Sequence, residues 1–238
     1  VLYVGYRNPA SIAKAAATLD HISGGRFELG LGAGWHEQEA IACGYDFPSV
    51  GTRLDMLDEA STIIRGMLTQ DRTTFTGKHF SVDNVSNLPI PVQKRMPIWI
   101  GGLGEKKTLK LVAKHADGWN AAYTSVDNFS RLSGILDQWC EKQDRDPATL
   151  DRSINLTFNL GITQAEVDAE RENLRAAWGP VAKRIESGAL LCTPTEAVDR
   201  INAYREAGAS MINIALRAPW NEAALDVYLE EVIPAARG

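Results

Sequence analysis

The chain has 238 residues, of which 45% are hydrophobic and 23% charged, a composition that is too apolar for a disordered protein. Thirty acidic residues against 25 basic ones give a formal net charge of −5, which argues against nucleic-acid binding through a broad basic face. No apolar run reaches the roughly 20 residues that span a bilayer, and no export leader is visible. Three widely spaced cysteines are typical of free thiols in a reducing compartment. We therefore expect a cytoplasmic protein without a membrane segment.

Strand and helix patterns alternate along the first part of the chain. A strand pattern covers residues 1–6, and Asn8 with Pro9 then predicts the start of a helix that stops at the glycines after Ser23. A second strand over residues 27–31 runs into a glycine-rich turn, and a short helix through Ala40 follows. A capping-box pattern at Thr52 predicts a helix that continues to Leu68. Residues 71–96 show no helical period, so we predict an insertion there with one or two strands.

The same alternation continues to the end of the chain. It predicts strands over residues 97–100, 118–122, 154–162 and 211–216, and helices over residues 109–116, 127–139, 167–185, 193–208 and 222–236. Strands that are each followed by a helix predict parallel βα units in one α/β domain, residues 1–238, without a linker. Six strands suit either an open doubly wound sheet or part of a (β/α)8 barrel, which needs eight.

A glycine-rich stretch after the third strand, residues 101–107, is the most informative candidate site. Ligands of parallel α/β folds bind at the carboxyl ends of strands, and a glycine-rich turn into a helix collects free N–H groups at the positive helix end. We therefore predict a phosphate site there, with Lys106 and Lys107 adding positive charge. A tight turn that needs glycine only for its backbone is the alternative.

The turn after the second strand supplies further candidates. Gly30, Gly32 and Gly34 alternate along the chain, which indicates either a ring that approaches the backbone or close packing of neighbouring strands. His36 could take part in proton transfer, although a solvent-facing residue in the first turn of a helix is the more frequent outcome. Asp117 precedes its strand, which predicts a structural role at the opposite end. The histidines lack the spacing of metal ligands, so we predict no metal site.

Two motifs resemble those of a known family. Residues 18–35, TLDHISGGRFELGLGAGW, are similar to the best-marked segment of the luciferase-like monooxygenase superfamily, and residues 97–105, PIWIGGLGE, followed by ADGWN at 116–120, resemble its second. The similarity covers nearly the whole chain and is closest to the deazaflavin (coenzyme F-420)-dependent oxidoreductases. It implies a TIM (β/α)8 barrel of the bacterial luciferase-like type, with the insertion before the fifth strand. On that mapping the six strands are the third to the eighth, and the first two βα units are lacking.

The resemblance also implies an activity and a site. We expect hydride transfer between a small organic substrate and a bound deazaflavin, with His36 as the candidate proton donor. The residues that would bind the cofactor are Gly32, Ala33, Gly34, Gly101, Gly102, Leu103, Gly104, Glu105 and Asn120. Bacterial luciferases carry an Arg that binds the phosphate of flavin mononucleotide (FMN) where this chain has Ala33. This difference argues against placing the chain in the luciferase branch.

Three alternatives stay open. The first is a monooxygenase that uses reduced FMN and oxygen. The second is an incomplete barrel without activity, and the third is a cofactor-free phosphate-binding barrel such as an isomerase. A homodimer is expected by analogy with the family.

Overall fold

The computed structural model describes residues 1–237, with side chains as far as Ala236. Contacts divide these residues into two compact units. The first unit contains residues 1–119 and 139–150, and the second contains residues 120–138 and the chain from Asp151 onward. The prediction of a single domain stays a prediction, and the units are described one at a time.

The first unit is built from a parallel sheet with helices packed against it. Strand β2 pairs in parallel with β1 on one side, where Leu2 lies opposite Leu31, and with β5 on the other, where Leu31 lies opposite Ile100. The elements in chain order are β1 (Leu2–Tyr3), α1 (Pro9–Ser23), β2 (Leu29–Gly32), α2 (Glu37–Ala42), α3 (Val50–Thr69), β3 (Thr73–Thr76), β4 (Ser81–Val85), β5 (Ile98–Gly101) and α4 (Thr108–His115).

Local sequence signals explain where the first long helix begins and ends. The Asn8 side chain accepts a hydrogen bond from the N–H of Ala10, and Pro9 occupies the first helical position, where no N–H is needed. Gly24 ends the helix in the left-handed conformation with a φ of 64°. The predicted helix is therefore confirmed at both ends.

The insertion contains the strands that the sequence predicted there. Strands β3 and β4 form an antiparallel hairpin, and the carboxylate of Glu59 on α3 accepts the backbone N–H groups of Lys78, His79 and Phe80 at the turn. A Cβ on Gly77 would approach the Glu59 carboxylate to 2.4 Å, so a side chain at this position would displace that carboxylate. One helix thus fixes the position of the hairpin.

The second unit also contains a parallel sheet. Strand β7 pairs with β9 from Ser153 to Thr157, and its last residues pair with β8. The elements in chain order are the end of β6 (Gly118–Ala122), most of α5 (Val126–Glu141), β7 (Asp151–Phe158), α6 (Gln164–Trp178), α7 (Ala182–Ser187), β8 (Ala189–Leu190), α8 (Pro194–Glu206), β9 (Met211–Ala215), α9 (Glu222–Val227) and α10 (Ile233–Arg237). Parallel strands with intervening helices confirm the α/β prediction.

Several elements have other boundaries than the sequence-based prediction. Helix α3 begins at Val50 because Ser49, rather than Thr52, accepts the capping hydrogen bond. The predicted helix over 167–185 is two helices, separated by a 3-10 turn at Gly179–Val181 where Gly179 has a φ of 48°. Strand β7 begins at Asp151 and ends at Phe158, earlier than predicted, and the first strand is only two residues long before a 3-10 turn.

Strand β8 was missed by the sequence analysis. It has only two residues, Ala189 and Leu190, and a pattern needs several alternations before it becomes visible.

In the part of the chain that the structure describes, no helix combines the length and the apolarity that crossing a bilayer requires.

Candidate functional site

The loop after β5 is held from behind through its carbonyl groups. The indole N–H of Trp119 donates to the carbonyl of Gly102, and the indole N–H of Trp139 donates to the carbonyl of Glu105, each at 2.8 Å. The N–H of Leu109 donates a hydrogen bond to the carbonyl of Gly104 at 3.0 Å. Three donors therefore hold the carbonyls of Gly102, Gly104 and Glu105 toward the protein.

The N–H groups of the same loop remain open. Within residues 1–237, no acceptor engages the backbone N–H groups of Gly104, Lys106 and Lys107, and α4 begins without a side-chain cap. These residues are exposed, so the groups face solvent at the positive end of a helix. Such an arrangement can hold an anion, and residues 102–107 are called the anion cradle below.

Backbone geometry in the anion cradle requires glycine. Gly102 has a φ of 136°, a conformation that residues with a Cβ rarely adopt. A Cβ on Gly104 would lie 2.6 Å from the hydroxyl oxygen of Thr108, which starts α4. The backbone of this turn therefore needs glycine, as the alternative interpretation predicts, and its open N–H groups remain compatible with a bound anion.

The glycines in β2 and just after it pack against residues 1–3 at the start of the chain. A Cβ on Gly32 would approach Cγ1 of Val1 to 2.9 Å, and one on Gly34 would approach the ring of Tyr3 to 2.8 Å. A Cβ on Gly30 would meet the backbone of Val1 at 3.2 Å. These contacts favour the close-packing alternative, and cofactor contact at residues 32–34 stays a prediction.

Arg53 braces the turn after β2, a contact that the sequence analysis missed. Its Nε donates to the carbonyl of Ala33 at 2.9 Å, and Nη1 donates to the carbonyl of Pro48. The guanidinium lies 3.8 Å from the centre of the Phe47 ring, and the residue is 8% exposed. Arg53 thus lies beside Ala33, and two of the guanidinium nitrogens of Arg53 donate to backbone carbonyls.

His36 has a structural contact that its sequence position did not reveal. Its Nδ1 accepts the N–H of Glu39 at 2.9 Å and so caps α2. The neutral ring must therefore carry its proton on Nε2, which remains available for another partner. Proton donation by His36 stays a prediction, and it would require protonation of both ring nitrogens and the loss of this cap.

Asn120 lies in the second unit within a network of amides. Its Nδ2 donates to Ser153 and to Oδ1 of Asn155 at 2.8 and 3.0 Å, and Nδ2 of Asn213 donates to the same Oδ1 at 3.1 Å. The network connects β6, β7 and β9 on one face of the sheet. These bonds fix the orientation of Asn120, and its contact with a cofactor stays a prediction.

Aromatic residues meet an arginine at the carboxyl ends of β6 and β9. The guanidinium of Arg217 lies 4.5 Å from the centre of the Trp178 ring, which is 6.1 Å from that of Tyr123. Tyr123 has a φ of 52°, a strained value for a bulky residue. Trp178 ends α6, whereas Tyr123 and Arg217 follow β6 and β9, so only the fold brings these three residues together.

Asp117 lies at the amino end of β6, as predicted, and its contacts are structural. Its carboxylate binds the N–H of Ile98 at 2.9 Å and the guanidinium groups of Arg65 and Arg95. Burial raises the pKa of Asp117, but the Ile98 N–H and Arg65 outweigh that effect and hold it below its usual value. In the described part of the chain, no three His, Cys, Asp or Glu side chains group as metal ligands.

Comparison with known proteins identifies related chains. A family-wide sequence description of luciferase-like monooxygenases matches residues 1–211. An uncharacterised protein of Mycobacterium tuberculosis is 33% identical over 132 residues, which cover 56% of this chain and 46% of that protein. The F-420-dependent hydroxymycolic acid dehydrogenase of the same organism is 28% identical over 97% of this chain and 67% of its own length. The aligned region thus spans about half of the first relative.

Solved structures share the fold. An F-420-dependent secondary alcohol dehydrogenase in complex with an F-420–acetone adduct superposes with a TM-score of 0.84 at 23% identity, over 97% of this chain and 76% of the other. EDTA monooxygenase from Chelativorans sp. BNC1 superposes with a TM-score of 0.80 at 17% identity, over 99% and 72%.

Proposed function

Because the chain belongs to the luciferase-like monooxygenase family, we propose that it carries the cofactor-binding part of an oxidoreductase. The reaction would transfer a hydride between a small organic substrate and a deazaflavin, coenzyme F-420. Support for the deazaflavin comes from the F-420-dependent dehydrogenase that aligns with 97% of this chain. When bound, the deazaflavin supplies the hydride chemistry, and the protein supplies binding, orientation and exclusion of water.

The anion cradle is the observation that carries this proposal. Three of its carbonyls accept hydrogen bonds from Trp119, Trp139 and Leu109, and open N–H groups lie at the start of α4. Lys106 and Lys107 are exposed beside them. A cofactor phosphate fits this donor set because it offers several negatively charged acceptor oxygens.

Residues near the end of β2 would position the rest of the cofactor and the substrate. Arg53 fixes the carbonyl of Ala33, which sets the path of the turn toward His36. Nε2 of His36 is the ring nitrogen that would face the substrate, because Nδ1 accepts the N–H of Glu39. Donation of a proton from Nε2 would require a ring that is protonated on both nitrogens, and such a ring would give up the hydrogen bond from Glu39. A turn fixed in this way presents the same atoms to every substrate molecule.

A binding titration with F-420 and FMN in parallel tests the proposal. We expect F-420 to bind more tightly than FMN. A preference for FMN would favour the monooxygenase alternative, which the structural likeness to EDTA monooxygenase keeps open. A folded chain that binds neither compound would contradict the cofactor proposal and favour the fragment without activity.

Two substitutions at one position separate charge from backbone strain. Gly102→Ala and Gly102→Asp both introduce a Cβ at a φ of 136°, but only the second adds a negative charge in the anion cradle. We expect Gly102→Asp to weaken F-420 binding at least about tenfold more than Gly102→Ala does. Equal affinities of the two variants would show that no phosphate lies there.

A further inference from the structure

Three residues of the second unit, Tyr123, Trp178 and Arg217, form a group that we call the aromatic–arginine cluster. Tyr123 follows β6 and Arg217 follows β9, so both lie at the carboxyl ends of strands, where parallel α/β folds bind their ligands. Trp178 is the last residue of α6. Its ring lies between the other two side chains, 4.5 Å from the guanidinium of Arg217 and 6.1 Å from the ring of Tyr123.

Each member of the cluster has a hydrogen-bond donor that no acceptor engages. Among residues 1–237, this holds for the phenol of Tyr123, the indole N–H of Trp178 and the guanidinium of Arg217. Arg217 is exposed, and no carboxylate in that part of the chain forms an ion pair with it. Because the guanidinium lies over the Trp178 ring, the N–H groups at its edge remain for a ligand. Three such donors favour a ligand group that only accepts hydrogen bonds, such as an oxyanion.

The backbone from which the Tyr123 phenol projects is held in a strained conformation. Tyr123 has a φ of 52°, and a Cβ on Gly188 would lie 2.2 Å from the carbonyl carbon of Tyr123. The N–H of Tyr123 donates to the carbonyl of Asn155 at 3.0 Å, directly beside the amide network of β6, β7 and β9. Bulky residues with a positive φ are costly and concentrate at functional sites. The strain at Tyr123 thus points to a ligand site independently of the donors.

The charged residues near the cluster leave it positive. Residues 172–186 and 217–222, which carry Trp178 and Arg217, contain the basic residues Arg175, Lys183, Arg184 and Arg217 and the acidic residues Glu172, Glu186 and Glu222. Both Glu172 and Glu186 are bound to Arg175. The next carboxylate of α6 without a basic partner belongs to Glu170, which is bound by Asn159. It lies about 12 Å from Trp178 along the helix axis, beyond the Debye length of about 8 Å at physiological salt.

We propose that the aromatic–arginine cluster binds an oxyanionic group of the substrate, a carboxylate or a phosphate, and that Arg217 thereby selects anionic substrates. The assignment of this anion to a substrate rests on the proposed function. The binding of an anion at the cluster does not, because it follows from the unpaired donors and the local charge alone.

The indole N–H groups allow the cluster and the anion cradle to be tested separately. The chain has six tryptophans, so a proton–nitrogen correlation spectrum of the whole chain contains six indole signals, which single Trp→Phe variants assign. Trp178 reports on the cluster. Trp119 and Trp139 donate to carbonyls of the anion cradle and report on that site. Trp99, whose indole N–H donates to Glu28, is the reference.

A titration with sodium acetate and one with inorganic phosphate, both at constant ionic strength, test the cluster. We expect at least one anion to shift the Trp178 signal saturably, with half-saturation at about 10 mM, and to leave the Trp99 signal in place. Acetamide has the shape of acetate without its charge and should cause no shift. The anion that saturates at the lower concentration identifies the bound group as a carboxylate or a phosphate. An equal shift with acetamide, or no shift with either anion at about 100 mM, would overturn the proposal.

Two arginine variants locate the bound anion. Arg217→Gln removes the unpaired cation and should weaken anion binding by at least about fivefold. Arg26→Gln is the matched control, since it changes the net charge equally in the first unit, where the Arg26 side chain donates to the carbonyl of Ser23. We expect it to leave the affinity unchanged. Equal losses in both variants, or no loss in Arg217→Gln, would overturn the role of Arg217.

The same spectra separate this inference from the cofactor proposal. We expect F-420 to shift the signals of Trp119 and Trp139. A Trp178 signal that responds to an anion while F-420 moves neither reporter of the anion cradle would support the anion site and contradict the proposed cofactor. The opposite result, a response to F-420 at the cradle and none to anions at Trp178, would overturn the selection of anionic substrates by Arg217 and leave the proposed function standing.

Discussion

Asp117 shows how one carboxylate can support several segments at once. It joins α3 through Arg65, the segment before β5 through Arg95, and β5 itself through the N–H of Ile98. Its side chain is 19% exposed, so water compensates little for a lost partner. We expect Asp117→Asn to lower the free energy of unfolding by about 2 kcal/mol, as measured by urea denaturation at pH 7.

The same group predicts a pH dependence. A carboxyl whose pKa is lower in the folded than in the unfolded chain stabilises the fold above its unfolded pKa, about 3.9, and loses that contribution as the pH falls through the folded value. The difference between wild type and Asp117→Asn should therefore shrink below pH 4. Asp55→Asn is the control, because Asp55 is exposed and 3.8 Å from Lys107. A constant difference at all pH values would contradict this assignment.

His36 combines a structural contact with a predicted chemical role. Asn is a strong N-cap residue, so His36→Asn should retain α2, whereas His36→Ala should lose the cap at a cost of about 1 kcal/mol. Hydrogen exchange at the N–H of Glu39 measures this difference. With any substrate that turns over, we expect both variants to lose about 100-fold in rate. Full activity of His36→Asn would exclude His36 as the proton donor.

At the scale of elements, the β3–β4 hairpin depends on one side chain from α3. Three N–H groups at 2.8–2.9 Å converge on the Glu59 carboxylate, and these hydrogen bonds hold the pKa of Glu59 below its usual value although burial raises it. Glu59→Gln can accept with one oxygen only and removes the charge. We expect faster hydrogen exchange over residues 77–80 and faster tryptic cleavage after Lys78.

The matched control for this variant is Glu206→Gln, at an exposed position at the end of α8. We expect it to change neither the exchange nor the cleavage. Unchanged protection of the hairpin in Glu59→Gln would mean that the strand pairing alone holds it.

At the scale of the whole molecule, the net charge of −5 opposes the approach of an anionic cofactor. On the proposed function, binding would then depend on the local field of the anion cradle with Lys106 and Lys107. We expect saturating F-420, at 100 times its dissociation constant, to stabilise the chain by about 2.7 kcal/mol. Thermal unfolding measures this stabilisation. A deazaflavin that lacks the phosphate-bearing tail, used at the same concentration, is the control. Equal shifts with both compounds would show that the phosphate does not contribute.

Much of the fold follows from local sequence signals. Asn8 with Pro9 and the glycine at 24 fix the ends of α1, and the alternation of βα patterns indicates parallel sheets. Where signals compete, the sequence was a poorer guide. Thr52 carries the capping pattern, yet Ser49 caps α3, and Gly179 breaks a helix whose apolar spacing continues across it.

For the candidate site, the sequence determined the loop and the tertiary structure decided how its atoms are used. Glycines before a helix are visible in residues 101–104 because backbone freedom is a property of the residue itself. The occupation of the loop carbonyls by Trp119 and Trp139, the brace of Arg53 on Ala33 and the cap made by His36 were not foreseen. Two of the three depend on residues far apart in sequence, and the cap depends on a backbone path that spacing does not encode. Hydrogen bonds act over about 3 Å in space, so only the folded chain selects the partners.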